Sequence, residues 1–504
     1  MIIIVKGVRM EKKAITQGLI LVIGQVSGKI ISLIFIFLLA SKLKPIGLHL
    51  YTYAYIPYSL FLDLAGFGLI PGASKAVSTL LAENKEEEAS YLLKKSTILF
   101  IALGIIYVLI LNLFNDFILK VTIYTGYTND EYLIIMKNLQ IGSLSLFIYP
   151  LISFYKGFLQ GNLKMLPSAI SLILEYTIKI ILFVLISNDI TAQTIPKIFL
   201  IFVLSQIITL IILLSFMIKY YLKKSKKINV IPLLYKSIIP FGTATFFFTI
   251  YQIIDTITLS KINPHLYTAY MFETTRLIFI PIIICQSIAG AITPKINMLY
   301  KNNKIEETNK IAYKITKISI YFLIPIIYIF IVYSKDIYSI IYSDGNYYVL
   351  KDIAILIFFI GFYKIIIGIS QGMPKFNFII FSTLIGAIAK LVLNVILIPS
   401  IGYQGAIIST SLAITVTMLF AYIVLYKGEI KIFICNMRSI VISVISLFSS
   451  MYFSSILIAT LILGFSKIAT LFISSLFIMG FYFIFIAFIE LVISQKQSKQ
   501  HILK

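Results

Sequence analysis

Ten ionisable side chains interrupt long apolar runs of this sequence. Six are basic, Lys29, Lys137, Lys179, Arg276, Lys364 and Lys390, and four are acidic, Asp63, Glu175, Asp255 and Glu273. A basic residue at the centre of a membrane helix costs about 2.5–3.5 kcal/mol on insertion scales, so the central ones must face a bundle interior or a water-filled cavity. Such a set suits binding of a charged group rather than covalent chemistry. Lys29, Lys364 and Lys390 stand near mid-span without an obvious local partner and read as cavity-lining. Glu175 and Lys179, four residues apart on one helix, either neutralise each other in a packed interface or belong to the cavity. Glu273 and Arg276, three apart, pose the same choice. Asp63, in the cytoplasmic third of its span, reads as a cation or proton site or as a partner for Lys29. Lys137 and Asp255 lie near the outer ends of their spans, from where they would snorkel to the interface. Only three of the 43 basic residues are Arg. The single Arg within a span, Arg276, offers a planar, permanently charged fork for bidentate phosphate binding, or else a buried partner for Glu273.

The elements that must carry these residues are membrane helices. The chain has 504 residues, 60% hydrophobic and 12% charged, against about 25% charged in soluble domains. Apolar stretches of 18 or more residues recur throughout. We place about fourteen spans at 14–40, 47–70, 97–115, 133–155, 165–187, 196–218, 237–258, 267–290, 317–334, 352–371, 377–398, 405–425, 439–461 and 467–492. The fold class is an all-α polytopic membrane protein. With both termini in the cytoplasm, and with the span-end residues Lys197, Lys317 and Lys467 counted with the side they adjoin, 29 of the Lys and Arg fall on cytoplasmic segments, 8 outside and 6 within spans. This bias sets the orientation and accounts for the net charge of +23 without a nucleic-acid partner. The N-terminal span is too long for a signal-peptide apolar region and is kept as uncleaved, with Met10 an alternative start.

The cytoplasmic segments 75–96, 219–236 and 295–316 are long enough for short amphipathic helices on the membrane face. Outer loops reach about 17 residues, at 116–132 and 335–351, too short for the outer domain of a polymerase or ligase. Cys285 and Cys435, and the scattered His49, His265 and His501, suggest neither a disulfide framework nor a metal site.

The chain repeats itself. Gln160, Gly161, Lys164, Ser171 and Lys179 recur 211 residues later as Gln371, Gly372, Lys375, Ser382 and Lys390. Asn84-Lys85 with Glu87-Glu88 recur 219 residues later as Asn303-Lys304 with Glu306-Glu307. Spans one to six thus repeat as seven to twelve, giving lobes at 14–218 and 237–425, with two extra helices at 439–492. An even number of spans keeps both halves in one orientation, as in transporters whose site lies between parallel repeats. Span thirteen is rich in serine, which favours close packing against another helix.

The stretches LDLAGFGLIPGASKAVSTLLAENK (62–85), YKGFLQGNLKMLPSAISLILEYTIKI (155–180) and STLIGAIAKLVLNVILIPSIGYQGAIIST (382–410) resemble the polysaccharide-transporter branch of the MOP exporter superfamily, with its sporulation-protein and lipid II flippase members. The resemblance covers spans one to twelve. It implies two six-helix lobes in a V around a central cavity, as in MATE transporters, and alternating access. The branch's flippases carry cations in spans one and eight for a lipid pyrophosphate and an acidic residue in span two; Lys29, Arg276 and Asp63 occupy those spans. The two extra helices would hold the lipid tail. On this reading the chain is no enzyme but a flippase of the bacterial plasma membrane, moving an isoprenoid-pyrophosphate-linked saccharide outward. Arg276, Lys29, Lys179, Lys390 and Lys364 would bind the headgroup, and Glu175 would tune Lys179 or contact sugar hydroxyls. Asp63 and Glu273 would couple transport to Na⁺, H⁺ or membrane potential, with no other cofactor. Its partners would be the lipid-linked saccharide, membrane lipids and envelope-synthesis proteins. The alternatives are a cation-coupled multidrug exporter of the same superfamily and a non-transporting scaffold for envelope synthesis.

Overall fold

The computed structural model describes residues 2–122, 128–186, 194–262, 264–301, 303–342, 345–371, 377–427, 437–461 and 467–502. Among them there is no strand. In chain order the helices are α1 (Ile2–Gly66), α2 (Leu69–Ala82), α3 (Glu86–Leu113), α4 (Asn115–Thr122), α5 (Asn129–Gly161), α6 (Met165–Ile186), α7 (Ile195–Tyr221) and α8 (Val230–Ile262). The short α9 (Pro264–Thr268) leads into a π-turn, Ala269–Thr274. Next come α10 (Thr275–Lys301), α11 (Ile305–Val332), α12 (Ser334–Ile341), α13 (Tyr347–Ile353), α14 (Leu356–Gln371), α15 (Asn377–Ile401), α16 (Tyr403–Lys427), α17 (Met437–Leu461) and α18 (Lys467–Ile502).

Among the described residues, twelve helical stretches are long and apolar enough to cross a bilayer, and α13 with α14, bent by 42°, makes a thirteenth. Each expected span overlies a helix, the first two both on α1 and the seventh on the 33-residue α8. The protein is a multi-pass membrane protein. The segments expected to be cytoplasmic differ from expectation: no separate amphipathic helices form at 75–96 or 295–316. Instead the spanning helices run on, α2 to Ala82 and α10 to Lys301, and reverse through tight turns into α3 and α11. Segment 219–236 is shared between the end of α7 and the start of α8. Extending a formed helix adds a hydrogen bond per residue, whereas a new short helix must be nucleated afresh.

The two turns are copies of each other. Asn84 and Asn303 both have φ 56°, a left-handed conformation that Asn tolerates better than most residues. Lys85 N–H donates to Leu80 O at 2.9 Å and Lys304 N–H to Leu299 O at 3.0 Å, the six-to-one closure that ends a helix. The helices after each turn match as well: α3 and α11 have 28 residues each, α4 and α12 have 8 each. Both pairs start 219 residues apart. At the other repeat, Lys164 N–H closes on Leu159 O at 2.9 Å to end α5, and Gln371 ends α14. Gly372 and Lys375 lie outside the described residues, as does Cys435.

The chain packs as two compact units, residues 1–272 with 376–417, and 273–375 with 418–504. The first holds α1 to α9, α15 and most of α16. In it α2 and α8 meet backbone to backbone. Gly68 has φ 65°, and a Cβ there would lie 2.4 Å from Gly242 N; one on Gly242 would lie 2.3 Å from the Phe67 ring. In the second unit α17 turns Ser439, Ser443, Ser446, Ser450 and Ser454 inward, all buried, while Ser449 is half-buried and Ser455 exposed. This serine face packs on α18, and Ser443 hydrogen-bonds the buried Tyr482 hydroxyl. The close packing expected of span thirteen is present.

Candidate functional site

The first unit assembles a charged site from three helices. Gln17 on α1 accepts the Met165 N–H at 2.8 Å, satisfying one of the open donors at the start of α6. Glycines then bring the two helices together: a Cβ on Gly24 would stand 2.4 Å from Ala169 Cβ, and one on Gly28 2.3 Å from Leu172 Cδ2. Lys29 is the next residue and is exposed. On α6, Lys179 Nζ donates to Glu175 Oε1 at 2.8 Å, the favourable order for a pair four apart. From α5, Lys156 Nζ reaches to 3.9 Å of Glu175 Oε2. Lys29 adds its positive field to the same carboxylate. Two lysines, on α5 and α6, thus flank Glu175, and Lys29 stands on the helix that packs against α6. Lys156, Glu175 and Lys179 have side-chain exposures of 7, 13 and 12%.

The depth of the site comes from helix geometry. Lys179 lies fourteen residues into α6, about 21 Å at 1.5 Å per residue, within a core of about 30 Å. Aromatic rings wall it. Lys179 Nζ stands 4.9 Å from the Tyr176 ring centroid and 5.3 Å from that of Phe202, so the ammonium is held by cation–π attraction as well as by its carboxylate. Tyr58 stacks on Phe202 with centroids 6.1 Å apart and lies in the field of both Lys179 and Glu175. Tyr149 feels both Asp63 and Glu175. Asp63, on α1, is exposed. Of the residues singled out from sequence, the structure pairs Glu175 with Lys179, and places Lys29 and Asp63 on α1, which packs against both α5 and α6.

Lys156 lies one residue beyond the span end that hydropathy places at 155, and so is not among the candidates from sequence. The helix continues to Gly161 and carries Lys156 into the packed interior. The run Phe158-Leu159, apolar and buried beyond the lysine, is the signal that extends the span.

Lys390 and Asp255 correct two expectations. Lys390 has a partner, on another span, and Asp255 does not snorkel. Lys390 Nζ donates to Asp255 Oδ2 at 2.7 Å and Asn394 Nδ2 to Oδ1 at 2.9 Å. Side-chain exposures are 2% for Lys390 and 8% for Asp255. Ser409 hydrogen-bonds Asn394 Oδ1, and the Tyr251 ring lies 5.2 Å from the Lys390 ammonium. Both carboxylate oxygens are engaged, which closes the network. The physical reason is that α8 and α15 pack face to face, so a cation on one finds an anion on the other at lower cost than either would meet in lipid.

In the second unit Glu273, at the end of the π-turn, is buried and accepts a hydrogen bond from Tyr338. Arg276 and Lys364 are half-buried on α10 and α14, which pack together. A further cluster joins residues far apart in sequence: Glu490 on α18 accepts from Lys317 at 2.7 Å and from the Tyr321 hydroxyl at 2.7 Å. Lys137 on α5 is exposed, as a snorkelling residue requires.

Residues 15–300 match the sequence profile of a family described as polysaccharide biosynthesis protein, over more than half the chain. The chain belongs to that family. Residues 240–396 also match the MatE profile. Lipid II flippase MurJ of Bacillus subtilis (strain 168) is 22% identical over 457 residues, 83% of each chain. A solved structure of lipid II flippase MurJ in an inward closed conformation superimposes with TM-score 0.70 at 18% identity, covering 94% of this chain and 100% of that one. An outward-facing multidrug resistance MATE family transporter of the MOP superfamily gives TM-score 0.65 at 13% identity, covering 82% of this chain and 95% of that one. A MOP superfamily transporter from Pyrococcus furiosus gives 0.66 at 14%, over the same shares. The fold is therefore that of the MOP superfamily, and the resemblance to its polysaccharide-transporter branch stands.

Proposed function

We propose that this protein is a flippase that carries an isoprenoid-linked, pyrophosphate-bearing saccharide from the inner to the outer leaflet, with lipid II one such substrate. The observation that supports this most is that Lys156 and Lys179, from two helices, flank the one carboxylate of Glu175 at membrane depth. Two cations on one buried anion leave an excess of positive charge where lipid would forbid it. An anionic headgroup supplies the compensating charge. Family membership and the likeness to a lipid II flippase support the same class of cargo.

In this reading Lys29, Lys156 and Lys179 draw in the pyrophosphate, and Arg276 and Lys364 contact the headgroup at another stage of the cycle. Lys390 joins them only if its pair with Asp255 opens. Asp63 and Glu273 are the acidic groups on which a Na⁺ or H⁺ gradient would act, and membrane potential would drive the anion outward unaided. Both termini lie in the cytoplasm, on the distribution of basic residues.

The MatE match keeps a cation-coupled exporter as the second reading. A cationic drug would need an acidic, aromatic cavity, and the cluster around Glu175 has the aromatic rings but the opposite charge. The test is complementation of a strain depleted of its lipid II flippase, with wild type, Lys179→Met and Arg276→Ala at matched membrane levels and outer-leaflet lipid II measured. Rescue by wild type with loss in both variants supports the reading. No rescue by well-expressed wild type rejects lipid II as cargo, and rescue by both variants rejects the cation assignments.

A further inference from the structure

We infer that Glu175 is the resident counter-ion of an anion site, and that a phosphate or pyrophosphate ester binds by displacing it. This rests on the flippase reading and adds a step to it. Glu175 occupies the place a phosphate would take: one oxygen faces Lys179 Nζ at 2.8 Å and the other faces Lys156 Nζ at 3.9 Å. Each oxygen thus addresses a different helix, as the oxygens of a bound phosphate would. The two contacts are unequal. Lys156 is 7% exposed at its side chain, yet its distance to the carboxylate is beyond hydrogen bonding. A carboxylate on α6 is too small to reach both amines at once; a tetrahedral phosphate, with more oxygens and up to two charges, spans the gap and satisfies both. Lys29, exposed and acting on the same point, marks the open side from which such a group would enter.

Before a ligand arrives the internal anion keeps Lys156 and Lys179 from standing as bare cations in the membrane interior, a state that would cost stability. Glu175 is therefore a competitor by design. It weakens binding, and a weakly held headgroup is one that can be released on the far side.

The test is calorimetric titration of the full chain in detergent with farnesyl pyrophosphate, with inorganic pyrophosphate and farnesol in parallel. Wild type should bind farnesyl pyrophosphate, and Glu175→Gln should bind it about tenfold more tightly, a change of about 1.4 kcal/mol. A residue with only a structural role would not tighten an anion when neutralised. Lys156→Met, which leaves the Glu175–Lys179 pair in place, should weaken binding by a similar factor and carries the test if Glu175→Gln misfolds. Equal or weaker binding by folded Glu175→Gln, or unaltered binding by Lys156→Met, overturns the inference while the flippase reading survives. Tightening for inorganic pyrophosphate as well as the lipid would assign the site to the phosphate itself, as proposed. Tightening for farnesol would overturn the assignment to an anion. Absence of farnesyl pyrophosphate binding in wild type and Glu175→Gln alike would overturn both the inference and the reading beneath it.

Discussion

Removing the ammonium of Lys390 should damage the fold more than removing the whole ion pair. Lys390 Nζ and Asp255 Oδ2 are 2.7 Å apart with side-chain exposures of 2 and 8%. At an effective dielectric of about 20 the attraction at that separation is about 6 kcal/mol, before the cost of desolvating either group. In Lys390→Met the volume is nearly kept, but the Asp255 carboxyl is left buried without its cation, with the Asn394 bond at 2.9 Å as its remaining strong partner on that network. Breaking one side of a buried pair costs about 3–5 kcal/mol, whereas replacing both sides with apolar groups is often neutral or stabilising. The double variant Lys390→Met with Asp255→Leu should therefore regain about 2–4 kcal/mol over the single. Reversible unfolding of the purified protein, by titrating a denaturing detergent into a mild one, measures all four corners of the cycle. A cost below about 1 kcal/mol for Lys390→Met, or a double variant as unstable as the two singles added together, would show that the pair is not coupled in this way.

Two more outcomes rest on other contacts. Gly24→Val places branched carbons where even a Cβ would meet Ala169 Cβ at 2.4 Å; it should force α1 from α6, cost about 1–3 kcal/mol, and lower pyrophosphate binding by spreading the lysines, with a thermal-shift assay and the same calorimetry as the checks. Outside the membrane, Asp116 on α4 accepts from Tyr132 at 2.5 Å and pairs with Lys120 at 2.6 Å. The Lys120 contact, with the Tyr132 bond, holds its carboxyl below the usual range. Its contribution is present above the unfolded carboxyl pKa of about 3.9 and is lost as pH falls through the lower folded value. Asp116→Asn should remove that acid-side loss, so melting temperature tracked from pH 6 to pH 3 would fall less steeply than in wild type; an identical slope would remove Asp116 from the account.

The helices are legible in the sequence because hydropathy reports the medium, and the medium acts on each helix separately. The repeat is legible at its turns, where Asn84 and Asn303 meet a backbone demand that few residues tolerate. Within the site, Glu175 and Lys179 can be paired from spacing alone, since they share a helix. Lys156 and Asp255 cannot. Their partners stand on other helices, and nothing in local periodicity encodes which faces of α5 and α6, or of α8 and α15, will meet. Both misplacements arise at span ends, where a charged residue near a predicted boundary looks like an interfacial one. The extra turn of α5 beyond residue 155 makes such a lysine part of the site.

The crossing of α2 and α8 at Gly68 and Gly242 has a consequence for how this sequence can change over time. Most close contacts drift by compensation: one side chain grows, its neighbour shrinks, and the interface survives. Here neither position has a smaller residue to retreat to. Each glycine faces backbone or the Phe67 ring at less than 3 Å from where a Cβ would stand. The left-handed φ of 65° at Gly68 adds a second bar to any side chain there. A substitution at Gly68 meets backbone and has no partner able to give way, whereas one at Gly242 meets only the Phe67 ring and is open to compensation there, so the two glycines are not equally fixed.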